Sequence, residues 1–202
     1  MGAFSDSTAT PQTINPGIYT SIALSGPAVV TLNPGVYVIK GPFTAVNGST
    51  ITGTGVTLYF TCSGYPAQTN DSSCPSGGGT GGYFSGTGGS NTTLSAPTST
   101  NDPYTNLLMF YDRNDTGAFT GTSCGTGNTD FLDNGSASPD SLTGTIYAKS
   151  AQICMGGGIY DDNTQFVIGA LSLVGSASIT ANVVASQQVS QSGSSGVTAL
   201  IG

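Results

Sequence analysis

The sequence has no tryptophan and no histidine, its ten acidic residues are all aspartate, and only Lys40, Arg113 and Lys149 are basic. Without histidine there is no imidazole to activate a serine or cysteine nucleophile, so the usual triads are excluded and no catalytic residue is assigned. With three basic residues against a net charge of −7, no cationic cluster can face phosphates, which excludes nucleic acid as a partner. Absence of glutamate and near-absence of lysine remove the common helix formers. No apolar run reaches the roughly 18 residues of a membrane span. Neither a signal peptide nor a tail anchor is visible, and Met1-Gly2 reads as a start added to a mature fragment.

What is present is β-forming. Charged residues make up 6% and hydrophobic residues 37% of the 202. The apolar residues fall in short blocks of Val, Ile, Leu, Tyr and Phe between Gly, Ser, Thr and Asn. Such blocks suit strands joined by tight turns rather than a disordered chain.

The blocks repeat. Residues 13–19 read TINPGIY and residues 31–37 read TLNPGVY; TGTGVTLYF follows at 52–60. Repeats of about 18–20 residues mark a solenoid in which one repeat is one coil. In Asn-Pro-Gly, Pro16 and Pro34 set φ at the second turn position, and Gly17 and Gly35 are expected to supply the positive φ of a type II turn. The expected fold is an all-β, right-handed parallel β-helix, a single β-solenoid domain over 1–202 of about eight coils. Its core is expected to hold Ile14, Ile18, Ile22, Leu24, Val29, Leu32, Val36, Val38, Ile51, Val56, Leu58 and Phe60. Two polar stretches, 61–92 and 112–141, read as long inserted loops, the display candidates within them being 64–91 and 114–140. Residues 185–202 read as a cap or a linker.

The four cysteines form no C-x-x-C pair, which argues against a zinc site. An even count in a Ser/Thr-rich, low-charge chain reads as two disulfides, Cys62–Cys74 and Cys124–Cys154, and an oxidising compartment. Four buried thiols are the alternative. No cofactor is expected beyond a structural Ca²⁺, for which loop aspartates supply hard oxygen ligands; Asp112, Asp115, Asp161 and Asp162 are the candidates.

The run LNPGVYVIKGPFTAVNGSTITGTGVTLYFT (32–61), then LSAPTS (94–99), LLMFYDR (107–113), LTGTIYAKSAQI (142–153) and FVIGALSLVGSASI (166–179) resemble, in order and spacing, the C-terminal region of TadG-like Flp pilus-assembly proteins. The resemblance covers about residues 10–185. It implies an extracellular, bacterial cell-surface or pilus-associated β domain without enzyme activity. The family's N-terminal transmembrane helix has no counterpart in this sequence. Cell-surface, pilus or surface-polysaccharide partners follow, and the open ends of a solenoid would allow end-to-end self-association.

Two other readings use the same residues differently. A carbohydrate-binding or carbohydrate-cleaving β-helix would need aligned Asp and Tyr along a groove, with two carboxylates about 5–10 Å apart for cleavage. Asp161 and Asp162, adjacent on a strand, point to opposite faces and make a poor pair. An ice-binding solenoid would need a flat rank of Thr or Ser across at least three coils. Thr52-x-Thr54 and Ser176-x-Ser178-x-Thr180 are suggestive, but Thr-x-Thr does not recur at a constant spacing.

Overall fold

The computed structural model describes residues 1–65, 81–113, 115, 131–134, 141–156, 159–174 and 178–181. Among them there are strands and no helix. Sixteen strands form one curled sheet, and every strand pairs in parallel with its neighbours.

Each strand pairs with the strand three places later, so the chain builds three ladders in rotation. The first ladder stacks β1 (Ala3–Asp6), β4 (Ser21–Ser25), β7 (Pro42–Val46), β10 (Tyr83–Thr87) and β13 (Phe131–Asn134). The second stacks β2 (Gln12–Ile14), β5 (Val29–Leu32), β8 (Thr50–Thr54) and β11 (Asn91–Ser95). The third stacks β3 (Gly17–Tyr19), β6 (Gly35–Ile39), β9 (Val56–Phe60) and β12 (Leu107–Tyr111). The long strands β14 (Ser141–Gly156) and β15 (Ile159–Val174) then bend through all three, and β16 (Ser178–Ala181) closes on the start of β15. The side chains pointing inward from the three ladders meet in one core.

The expected period of 18–20 residues is close to the spacing seen. Asn15 and Asn33 stack 18 apart, Thr145 and Gln165 stack 20 apart, and Thr31 and Thr52 stack 21 apart.

The phase of the core differs from the expectation at four positions. Ile18, Val29, Val36 and Val38 are only half-buried, while Tyr19, Val30, Tyr37 and Ile39 point inward. The Asn-Pro-Gly-x-Tyr unit explains the shift. Tyr37 donates its hydroxyl to Asn33 O at 2.8 Å and Ile14 O at 2.9 Å, and Tyr19 donates to Asn15 O at 2.6 Å. A phenol satisfied by the carbonyls of its own turn can place its ring in the core. The two rings then stack 6.0 Å apart.

The turn glycines also depart from the type II expectation, whose third position has φ near about +80°. Gly35 has φ +132° and begins β6. It must be glycine because any Cβ there would collide with the Pro16 ring of the preceding coil. Gly55, in the next turn of that corner, does reach φ 71°, and left-handed backbone also recurs in a column at the corner between the first and second ladders. Gly26 (φ 59°), Asn47 (φ 56°) and Gly88 (φ 63°) sit there one above another. Each is followed two residues later by a small buried residue: Ala28, Ser49 and Ser90.

Two stretches read as loop contain coil strands. β10 lies within 61–92: Phe84 is fully buried and packs edge-on against Phe43 at 5.4 Å. Gly86 takes the next inward position, so the glycine-rich composition hid a period-two strand. β13 lies within 112–141 and pairs with β10 and β14. The 185–202 tail lies outside the described residues.

Candidate functional site

The corner between the third and first ladders is where the chain makes its two longest departures from the stack; a shorter one, 97–106, lies between the second and third ladders. At the end of each third-ladder strand, one further backbone bond extends the stack. Lys40 N donates to Tyr19 O (2.9 Å), Thr61 N to Ile39 O (3.0 Å) and Asp112 N to Phe60 O (3.0 Å). Beyond Thr61 and beyond Asp112 the chain leaves the coil. It returns at Gly82, whose N–H donates to Thr61 O at 2.9 Å, and at β13. Cys62 and Gly81, facing each other in an isolated antiparallel bridge, clamp the root of the first insertion.

Two of the four metal candidates meet at this corner. Asp115 N donates to Asp112 O (3.0 Å), folding the segment back on itself. Tyr59 donates its hydroxyl to Asp112 Oδ2 at 3.0 Å. The Asp115 carboxylate lies flat against Gly81, where any Cβ would collide with it. Its Oδ1 is 3.9 Å from Cys62 Sγ. Asp112 is 7% and Asp115 2% exposed. Burial, and then the neighbouring Asp112 charge, push Asp115 up to about 7, with the Gly82 N–H acting in the opposite direction.

Asp161 and Asp162 lie elsewhere, on the part of β15 that pairs with Thr180 and Ala181 of β16. The structure does not bring them to the Asp112–Asp115 corner. Among the described residues no three His, Cys, Asp or Glu side chains gather as a metal set. Neither described cysteine, Cys62 nor Cys154, is a free thiol. The expected pairings Cys62–Cys74 and Cys124–Cys154 involve Cys74 and Cys124, which lie outside the described residues.

The sequence reading missed Tyr59, Gly81 and Gly82 as parts of this corner. Gly-Gly directly before the Tyr83-Phe84 strand was the available signal, because a backbone packed against a carboxylate must lack side chains.

The outer faces of two ladders carry distinct chemistry. On the second ladder, Thr13, Thr31, Thr52, Thr93 and Ser141 are in register through five coils. Beside them Thr54, Ser95 and Thr143 continue a rank begun by Asn15 and Asn33. Thr31 and Thr52 share a hydrogen bond at 3.2 Å, and Asn33 Nδ2 donates to Asn15 Oδ1 at 2.8 Å. On the third ladder, Tyr59, Phe110 and Tyr147 form a half-buried aromatic column, with ring centroids 5.3 and 5.2 Å apart. Phe110 and Tyr147 are within 8° of parallel. They therefore cover each other's faces and lend rigidity to the ladder.

No protein-family model, curated protein or solved structure matches this chain. The TadG-like resemblance therefore rests on the quoted residues alone. No helix among the described residues is long and apolar enough to cross a membrane.

Proposed function

We propose that the chain is a right-handed parallel β-helix that acts outside the bacterial cell as a non-enzymatic surface or pilus-associated scaffold, displaying two insertions from one corner. The observation that carries this reading is the shared exit. The two longest departures, after Thr61 and after Asp112, both leave the third ladder and return to the first, while a shorter one, 97–106, joins the second ladder to the third. A rigid stack with segments emerging from one edge is how scaffolds commonly present recognition loops. The hand follows from the strong right-handed preference of parallel crossovers.

The test is epitope insertion. A short tag between Gly78 and Gly79 is expected to be bound by its antibody in the folded protein, with the unfolding transition unchanged. The same tag between Thr52 and Gly53 is expected to abolish folding. Loss of folding from the first tag would sink the display reading.

A second reading is favoured by the in-register Thr/Ser rank, an uncharged and regularly spaced row of hydroxyls of the kind that orders water as an ice surface does. Hydroxyls there repeat at about 4.8 Å across strands and roughly 6.6 Å along them. Thermal hysteresis of the purified chain, lost on Thr31→Tyr with Thr52→Tyr, would support it; no hysteresis in the wild type would remove it. Carbohydrate cleavage draws no support from the Asp112–Asp115 pair, because carboxylates this deeply buried cannot flank a glycosidic bond.

A further inference from the structure

We propose that the C-terminal end of the stack is a self-association surface, on which the same end of a second copy of this chain seats to close a two-fold dimer. The proposal concerns the coil end and stands whether or not the insertions bind a partner.

The two ends of the stack are finished differently. In the first ladder the inward positions run in register from Phe4 and Asp6 through Ile22 and Leu24, and Phe43 and Ala45, to Ile153 and Met155, and end at Leu171 and Leu173. Ile153 and Met155 are fully buried, whereas Leu171 is 46% and Leu173 49% exposed. Phe166 and Ile168, in register with the buried Ile146 and Ala148, are only half-buried at the same end. β16 lies on the far side of β15, and among the described residues it pairs only with Ile159–Asp162. Each coil covers the core residues of the one before it, and these leucines hold core positions that no coil covers. Core-facing leucines left in water mark an interaction surface.

The observations favour one occupant. The chain's own continuation offers little cover. If it followed β16 at the same offset, Ser190 and Ser192 would lie over Leu171 and Leu173, and 185–196 reads ASQQVSQSGSSG. Hydroxyls and amides set against leucine would lose water without gaining a partner. The opposite end of another copy does not fit either, because that end is closed. Ile14 and Tyr19 there are 6% and 4% exposed. Asp6 occupies an inward position and accepts hydrogen bonds from Thr8 N at 3.0 Å and Thr8 Oγ1 at 2.9 Å. Head-to-tail stacking would press this carboxylate onto the leucines, and an inward-pointing charge at a sheet edge blocks such growth.

The same end of a second copy does fit, since it sets leucine against leucine. The chain carries a net charge of −7, yet no charged side chain occurs from 163 to 202. The last two, Asp161 and Asp162, lie on the part of β15 that β16 covers. Two copies can therefore meet along Gln165–Val174 without setting one aspartate against another. A contact made by the same patch on both copies closes at two and does not grow into a filament. The end of a single coil is a small area, so the dimer belongs to the weak, concentration-dependent class.

The experiment is sedimentation velocity on the disulfide-intact full chain, from roughly 10 µM to roughly 1 mM. A monomer–dimer equilibrium is expected, with no larger species. Leu171→Ser with Leu173→Ser is expected to weaken it about ten-fold or more, with the circular dichroism of the monomer unchanged. Leu173→Asp and Leu173→Lys, each monomeric alone, are expected to dimerise when mixed, as a contact of this end with itself requires. That mixture carries the test if the double variant fails to fold, and no dimer on mixing overturns the proposal. A dimer unaffected by the substitutions, or growth beyond the dimer, overturns it equally. So does a wild type that stays monomeric throughout: one destabilised by the double substitution would assign the face to the chain's own tail, and one insensitive to it would assign the face to a different protein.

Discussion

Two corners of the same coil behave differently. Between the first and second ladders, Gly26, Asn47 and Gly88 repeat one left-handed backbone step, and Ala28, Ser49 and Ser90 repeat one small buried side chain. Among the described residues between the third and first ladders no left-handed step repeats. There the stack continues for one amide past the strand, at Lys40, Thr61 and Asp112, and the chain is then released. The first corner is specified residue by residue, so extra chain would break several contacts at once. Past its exit the second is held by the Cys62–Gly81 bridge and the Asp112–Asp115 turn, so extra chain placed beyond those ties leaves the ladders below untouched. The two longest insertions lie at the corner without the left-handed column.

Lengthening each corner alike tests this contrast most strongly. Eight Gly/Ser residues placed between Asn47 and Gly48 are expected to abolish cooperative unfolding in urea. The same eight between Ser63 and Gly64 should cost under about 1 kcal/mol, since loop closure grows only slowly with length.

The next largest effect is expected from Asp115→Asn. At pH 8 it should stabilise the chain by on the order of 3 kcal/mol, because the wild type there keeps a buried carboxylate that the unfolded chain would ionise freely. The gain should vanish below about pH 4, where both folded and unfolded carboxyls are protonated. Urea midpoints across pH 4–8 measure it, and a gain that is constant with pH would contradict it.

Tyr37→Phe should cost about 1–3 kcal/mol by leaving Asn33 O and Ile14 O without their donor. Gly88→Ala, at φ 63° with Asn47 Oδ1 3.0 Å from the new Cβ, should cost about 1 kcal/mol. Ser63→Ala, exposed at the exit of the other corner, should stay within about 0.5 kcal/mol of wild type. Calorimetric midpoints falling in that order would sharpen the contrast; equal costs for Gly88→Ala and Ser63→Ala would erase it.

Much of the coil was legible from local chemistry. The paired TINPGIY and TLNPGVY units mark consecutive coils, and the strands at 107–111, 142–148, 151–155 and 165–174 fall within observed strands. The inward face was misread at Ile18, Val29, Val36 and Val38 because an aromatic next to a branched aliphatic leaves the alternation ambiguous. Only the reach of the tyrosine hydroxyl to Asn15 and Asn33 resolves it. The Thr rank was invisible for another reason. Its members lie 18 and 21 residues apart early in the chain, but Thr52 and Thr93 are separated by an insertion that leaves from a different corner. A constant spacing in space became an irregular spacing in sequence.

For the candidate site, the sequence named Asp112 and Asp115 but not their enclosure. Two aspartates three apart in a polar stretch read as loop residues. Their burial comes from Tyr59, Cys62 and Gly81, which are remote in sequence and arrive only through the stacking of one coil on the next.

By itself, then, the sequence determined the strand content, the Asn-Pro-Gly-x-Tyr corners and the repeat length, because each depends on residues within one coil. Which side chains face inward, which hydroxyls align into a face, and which carboxylates are sealed together was decided by the tertiary structure alone. Those properties depend on register between coils, and register is set by contacts that cross the insertions.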